Sequence, residues 1–323
     1  GERVGGYILL TRDGEGGDGV VAASAAIPLW AAYALVLAAV AAVILDLFVV
    51  RARPGRKGTS PSPSPSPPCG PEGGDNGSVL AVVPARDEEG RVGEVVREIR
   101  SVCPGMEVLV VDDASRDGTG AAALAAGAMV LRLERNMGVG EAERRGLAYA
   151  VERGYAYAVR LDGDGQHPAR HIPDLLAPVA RGEADVAIGS RFAAGGGRAY
   201  DISRPRKLGI SYLREMLRLR TGLSFTDPTS GFRAYSRDAM RVLVAARPCR
   251  YAEVRGLLVL VGGGLRVHEV AVEMRPRLSG KSSLGAMGGV RMLAVATLDL
   301  MRYSPFAAPG PGPAGGTRVS ASR

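Results

Sequence analysis

Cysteine is scarce and scattered. Cys69, Cys103 and Cys249 are an odd number and lie far apart, which excludes a disulfide framework and a paired C-x-x-C metal knuckle and fits a reducing compartment. Aromatic side chains make up only 5% of the chain, so platforms for stacking unpaired bases are poorly supplied. Of three histidines, His167 and His171 stand four positions apart with no Cys or third His nearby, which argues against zinc and leaves a surface or helix-capping role as their default. Acidic residues are the minority: 33 Asp and Glu against 41 Lys and Arg give a formal charge of +8. That balance suits anionic lipid or a nucleotide-borne phosphate; the basic residues are dispersed and aromatics few, so nucleic acid is not the expected partner.

What is present is a core. Hydrophobic residues reach 46% and charged ones 23%, the composition of a folded chain. Residues 1–19 read as an N-terminal tail. Residues 20–50, VVAASAAIPLWAAYALVLAAVAAVILDLFVV, carry one formal charge, Asp46, and exceed the 20 or so apolar residues a membrane-spanning helix needs. A buried Ala-rich core helix is the alternative. Arg51, Arg53, Arg56 and Lys57 follow this segment, whereas Arg3 and Arg12 before it are diluted by acids, so the positive-inside rule places everything after it in the cytoplasm. The stretch before it is acidic and long, unlike a cleaved signal peptide. Because the chain opens on Gly1, an earlier or processed start is expected.

Residues 51–78 are basic and then Ser/Pro-rich, an extended tether with nothing to bury. Over 79–283, short β-rich runs alternate with longer helical ones, predicting an α/β domain of strands joined by crossover helices. Strands are expected at 79–83, 107–111, 129–133, 156–161, 185–188 and 265–272. Helices are expected at 92–101, 120–126, 138–152, 173–180, 208–220, 237–246 and 252–261. Residues 284–304 read as a C-terminal helix, either lying on a membrane or packed on the domain, and 305–323 as a disordered tail.

The strongest chemical signal is Leu161-Asp162-Gly163-Asp164-Gly165-Gln166-His167, two carboxylates at a strand end with glycines between and after them. Extended backbone would point the two acids apart, and the glycines let the chain turn until both face one divalent ion. Oxygen donors of this kind select Mg or Mn. Gln166 adds a neutral oxygen at the next alternate position. The bland reading is a solvated Asp-Gly turn; the place at the carboxyl end of a parallel strand, where ligands bind in open α/β sheets, favours the metal.

A second acidic cluster, Val111-Asp112-Asp113-Ala114-Ser115-Arg116-Asp117-Gly118-Thr119, ends the next strand and opens a helix. Asp112 and Asp113 are read as ligands for ribose or a base edge, Asp117 and Thr119 as helix caps. Pro84-Ala85-Arg86-Asp87-Glu88-Glu89 ends the first strand in a polar burst facing the same crevice.

With these blocks and Thr226-Asp227-Pro228-Thr229-Ser230-Gly231-Phe232-Arg233-Ala234-Tyr235, in this order, the sequence resembles the family 2 glycosyltransferases, and within them the polyprenyl (dolichol) phosphate mannose synthases, over roughly 79–283. The resemblance implies the nucleotide-diphospho-sugar transferase (GT-A) fold. It implies that Asp162, Asp164 and Gln166 hold the metal on the donor diphosphate, with Asp164 catalytic, and that Pro84, Glu88, Asp112 and Asp162 hold the donor. Arg191, in Gly189-Ser190-Arg191-Phe192, corresponds to an arginine that approaches donor phosphate, and Arg206 to one that meets acceptor phosphate.

Arg86-Asp87 stand where many members carry Tyr-Asn, so donor selectivity would depend on the geometry around Arg86 and Asp113. The serine expected four residues after Arg206 falls on Ile210, with Ser211 one place late. In the block from Arg277 to Ser283, Lys281 stands in for the usual lysine. Arg233 and Arg277 complete a basic set for phosphate oxygens. The phosphate-loop reading of Gly280-Lys281-Ser282 fails on Arg275, and the dinucleotide fingerprint at Gly138 fails on Glu143.

The implied reaction is inverting transfer of one sugar, mannose from GDP-mannose in the leading reading, to polyprenyl phosphate at the cytoplasmic membrane face. UDP-glucose or another donor stays open. Asp227 would be a base for a hydroxyl acceptor and would merely position Arg or the donor for a phosphate acceptor. A membrane-tethered nucleotide-sugar binder is the non-enzymatic alternative. A processive polysaccharide synthase is disfavoured, because its Q-x-x-R-W motif needs a late Trp and this chain has only Trp30.

Overall fold

Val79–Ala85, VLAVVPA, is buried at every position but its first, as a strand covered on both faces requires. It is β1 of a computed structural model that describes residues 78–193, 204–246, 252–275, 293–298 and 300 of the 323. The expected membrane segment at 20–50, the tether over 51–77, Arg277, Lys281 and the tail lie outside the described residues.

After β1 come α1 (Glu89–Val102), β2 (Glu107–Asp112), α2 (Thr119–Ala125), β3 (Met129–Arg132), α3 (Val139–Glu152) and β4 (Tyr157–Arg160). A 3-10 turn, Ala169–His171, runs into α4 (Ile172–Ala180), followed by β5 (Val186–Ser190), α5 (Arg204–Thr221), β6 (Arg233–Ser236), α6 (Arg237–Ala245), α7 (Ala252–Gly262) and β7 (Val267–Ala271). The seven strands form one sheet in the order β3-β2-β1-β4-β6-β5-β7.

The core follows from periodicity. On α1, Val92, Val95, Val96 and Ile99 recur at helical spacing and pack with Ala81, Val83 and Val110 of the sheet; Leu175, Leu176 and Val179 of α4 extend the same cluster. Burial of this kind contributes about 25 cal/mol per Å² of apolar surface.

One expectation is corrected. Pairing is parallel except at β6, which runs antiparallel to both β4 and β5. The sequence reading has no strand at 233–236, because Arg233-Ala234-Tyr235-Ser236 is short and begins with a charge, yet it supplies the reversal that lets β5 join the sheet. The C-terminal helix is described only at 293–298 and 300. There Tyr212 and Thr297 hydroxyls lie 3.1 Å apart and Arg220 Nε donates to Leu300 O at 2.9 Å, so these residues pack on α5. Among the described residues no helix is long and apolar enough to cross a membrane.

Candidate active site

Three strands end side by side. Ala85 pairs with Asp112 and Val82 with Arg160. Beyond them the Asp113 amide donates to Ala85 O at 3.0 Å and the Gly163 amide to Pro84 O at 3.3 Å. The loops after β1, β2 and β4 therefore emerge together at the carboxyl edge, where open α/β sheets bind ligands.

The first two loops are stitched by side chain to backbone bonds. The amide of Asp87 donates to Ser115 Oγ (3.1 Å), Arg116 N to Asp87 Oδ1 (2.8 Å), Glu88 N to Thr119 Oγ1 (2.8 Å) and Glu89 N to Asp117 Oδ2 (3.2 Å). Asp87 (φ 53°) and Ala114 (φ 55°), the non-glycine residues with positive φ among the described residues, both lie here. The left-handed region costs an alanine about 1–2 kcal/mol, so the fold keeps strain where the crevice opens. The cap expectation changes for Thr119: its hydroxyl serves Glu88, and the N-cap of α2 is Gly118.

Asp112 and Asp113 part company. Asp112 is fully buried; Oδ1 accepts the Ser115 amide at 2.8 Å, while Oδ2 has no hydrogen-bond donor, its ion-pair partner Arg132 Nη1 standing 3.5 Å away. A buried acceptor without a donor costs about 1–3 kcal/mol, which a ligand N–H or O–H would offset. Asp113 instead accepts the Met137 amide at 2.7 Å on one oxygen and the Gly138 amide at 2.8 Å on the other. Expected as a donor ligand, it is a clamp on the loop leading into α3. Pro84 is buried within β1, Glu88 is half-buried, and Arg86 is half-buried with Nε 3.4 Å from Asp87 Oδ2.

In the third loop Gly165, at φ 76°, turns the chain so that the Gln166 amide donates back to Asp164 Oδ1 at 3.0 Å. Asp164 is 7% exposed, and the Asp162 side chain 33%. His167 is neither at the surface nor a cap. It is buried, its Nδ1 accepts the Asp162 amide at 3.0 Å, and its ring stacks on Phe232 at 5.0 Å. Burial pushes its pKa down, so the imidazole is neutral and braces the loop.

Among the described residues no group of three or more His, Cys, Asp or Glu is poised around one ion. Mg and Mn ask for less: one or two carboxylates, water and substrate phosphates. The oxygen donors of Asp162, Asp164 and Gln166 in one loop fit such an ion arriving with a diphosphate.

Across the sheet, β5 ends at Ser190 and Arg191 follows it. Arg191 Nε and Nη2 donate to Asp227 Oδ2 and Oδ1 at 2.6 and 2.8 Å, and Nη2 reaches Thr229 Oγ1 at 3.1 Å. The side chains of this pair are 4% and 0% exposed. Glu269 of β7 accepts the amides of Thr226 at 2.7 Å and Asp227 at 2.8 Å, and burial raises its pKa. Arg233, expected to meet phosphate, is 1% exposed and donates to the carbonyls of Ser230, Pro228 and Glu253; a guanidinium consumed by backbone acceptors is a strut. Ser211 is exposed on α5 while Ile210 is buried. Arg206 lies in the first turn of α5, its side chain outside the described residues, as are Arg277 and Lys281.

A mixed sheet flanked by helices, with its loops gathered at the ends of β1, β2 and β4, is the GT-A-like fold of nucleotide-sugar transferases. Residues 80–244 match the family model "Glycosyl transferase family 2", half of the chain: this protein belongs to that family and is a glycosyltransferase. It is similar to an undecaprenyl-phosphate mannosyltransferase of Micrococcus luteus, 37% identical over 171 residues that cover 51% of this chain and 69% of that protein. It is also similar to a polyprenol monophosphomannose synthase of Mycolicibacterium smegmatis, 35% identical over 170 residues, 50% of this chain and 62% of the other. A crystal structure of glucosyl-3-phosphoglycerate synthase from Mycobacterium tuberculosis in complex with Mg2+ and uridine-diphosphate superposes with a TM-score of 0.52 at 26% identity, covering 69% of this chain and 79% of that one.

Proposed function

We propose that the chain catalyses inverting transfer of one hexose, mannose from GDP-mannose, to a polyprenyl or dolichyl phosphate, with Mg or Mn. The catalytic domain spans 79–283 and is held at the cytoplasmic face of a membrane by a helix over 20–50. The observation that carries this reading is the state of Asp227. A base for a hydroxyl acceptor needs an available carboxylate, and both oxygens of Asp227 are engaged in a buried ion pair with Arg191. A phosphate monoester needs no such base, because its second pKa of about 6 leaves it ionised near neutrality. The names of the two bacterial relatives support the same acceptor class.

In this scheme an acceptor phosphate oxygen forms the new bond to the anomeric carbon as the bond to the donor diphosphate breaks on the opposite side. Asp162, Asp164 and Gln166 would hold the cation, which supplies Lewis-acid neutralisation of the leaving diphosphate. Asp112 receives a donor N–H or O–H from the nucleoside, beside Pro84, Arg86 and Glu88. Arg191, fixed by Asp227, orients phosphate oxygens, and Arg206, Ser211, Arg277 and Lys281 serve the acceptor. A UDP-sugar donor is the second reading, favoured by the uridine-diphosphate in the solved neighbour.

The test uses the full chain in membranes with labelled GDP-mannose and UDP-glucose, polyprenyl phosphate, and Mn2+ or a chelator. Chelator-sensitive glycolipid from GDP-mannose is expected; product only from the uridine donor would move the reading to the second, and no glycolipid from either would defeat both.

A further inference from the structure

Beneath the Asp162 loop lies a buried charge cluster that the chemistry so far does not use. Arg160, the last residue of β4, is 1% exposed. Its Nη1 donates to Glu143 Oε2 of α3 at 3.0 Å, and its Nη2 to Asp162 Oδ1 at 3.1 Å and Glu253 Oε1 of α7 at 3.3 Å. Glu143 is fixed in turn by the Tyr235 hydroxyl of β6 at 2.6 Å. Gly231 leaves room for the guanidinium: a Cβ there would stand 2.9 Å from Nη2.

A buried ion cluster is weak evidence for stability, since well-packed apolar residues of equal volume often serve as well or better. A charge kept at the end of an otherwise apolar strand therefore calls for another reason. Arg160 has three carboxylate partners, and the most exposed of their side chains, Asp162 at 33%, opens into the crevice. The planar fork of a guanidinium fixes its partners directionally, which an ammonium does not. We propose that Arg160, braced by Glu143 and Glu253, is a positioning residue that holds the Asp162 carboxylate at the angle required to bind the divalent cation. The proposal rests on the metal reading of Asp162 and Asp164. Groups that orient metal ligands in this way typically change metal affinity by roughly 10–100-fold when replaced.

The experiment is Mn2+ binding followed by electron paramagnetic resonance with GDP or UDP present, alongside thermal unfolding without ligand, on the full chain. Arg160→Lys keeps the charge and loses the fork. A cooperatively unfolding Arg160→Lys protein with a roughly tenfold or greater loss of Mn2+ affinity is expected. Unchanged affinity would overturn the proposal. If Arg160→Lys does not fold, Glu143→Ala, which removes that brace and leaves Arg160 and Asp162 in the chain, should weaken Mn2+ binding in the same direction; affinity equal to the parent's overturns it. Asp164→Ala separates the two levels: Mn2+ binding that survives this change removes the metal assignment itself, and the positioning role with it.

Discussion

The two halves of the crevice are built from different bonds. On the β1–β2 side, side-chain oxygens of Asp87, Asp113, Ser115, Asp117 and Thr119 accept backbone amides from neighbouring loops, and among the described residues the buried carboxylate oxygen without a donor belongs to Asp112. On the β5–β6 side, cohesion comes from buried guanidinium groups, Arg191 on Asp227 and Arg233 on three carbonyls. The first half spends its carboxylates and hydroxyls on backbone amides, which leaves Asp112 as the acceptor that can meet a nucleoside N–H or O–H. In the second half Arg233 is a strut, and Arg191, its charge balanced by Asp227, is the guanidinium proposed to meet phosphate. The crevice is divided by chemistry as well as by sequence.

The division breaks most severely at the loop between the halves. Asp164→Ala should lower kcat/KM for sugar transfer by about 10³-fold, the several kcal/mol of a lost Lewis acid, with unfolding temperature nearly unchanged. Next is Asp227→Ala, which strands a buried Arg191 charge; unfolding in denaturant should show a loss of about 3–5 kcal/mol, far more than on the amide-bonded side. Asp113→Ala tests that side: freeing the Met137 and Gly138 amides should cost about 1–3 kcal/mol of stability while the donor KM changes little, whereas Asp112→Asn should do the reverse and raise the donor KM. A large KM effect at Asp113 would blur the distinction.

The smallest effect lies away from the crevice. Hydrogen bonding from Arg144 holds the Glu141 carboxyl below its ordinary value, so its contribution is present above about pH 4.5 and fades as pH falls through the lowered folded-state value. Glu141→Gln should flatten that acid limb by about 0.5 kcal/mol in a stability-against-pH series.

Much of this was legible before any coordinates. Apolar runs of four to seven residues separated by amphipathic stripes mark β1, β2 and α1, because burial on both faces leaves no polar alternation and helical burial leaves a stripe. The acids at the ends of β2 and β4 stand out because strand ends are where polar bursts begin. What stayed hidden was tertiary. Asp112 and Asp113 look alike in sequence and differ only because the loop before α3 folds back onto one of them. Arg233 reads as a phosphate ligand until carbonyls of the 228–230 loop and of Glu253 surround it. His167 looked like a surface residue because its partner ring, Phe232, is distant in sequence. Arg160 carried a usable signal, a charge closing an apolar strand two residues before Asp162, and its meaning needed Glu143 and Glu253 from other helices.

The most direct test compares acceptors that differ in one group. With the full chain, Mn2+ and labelled donor, polyprenyl phosphate and the corresponding polyprenol should be offered in parallel. The account predicts sugar transfer to the phosphate alone; equal turnover of the alcohol, abolished in Asp227→Asn, would make Asp227 a base and contradict it.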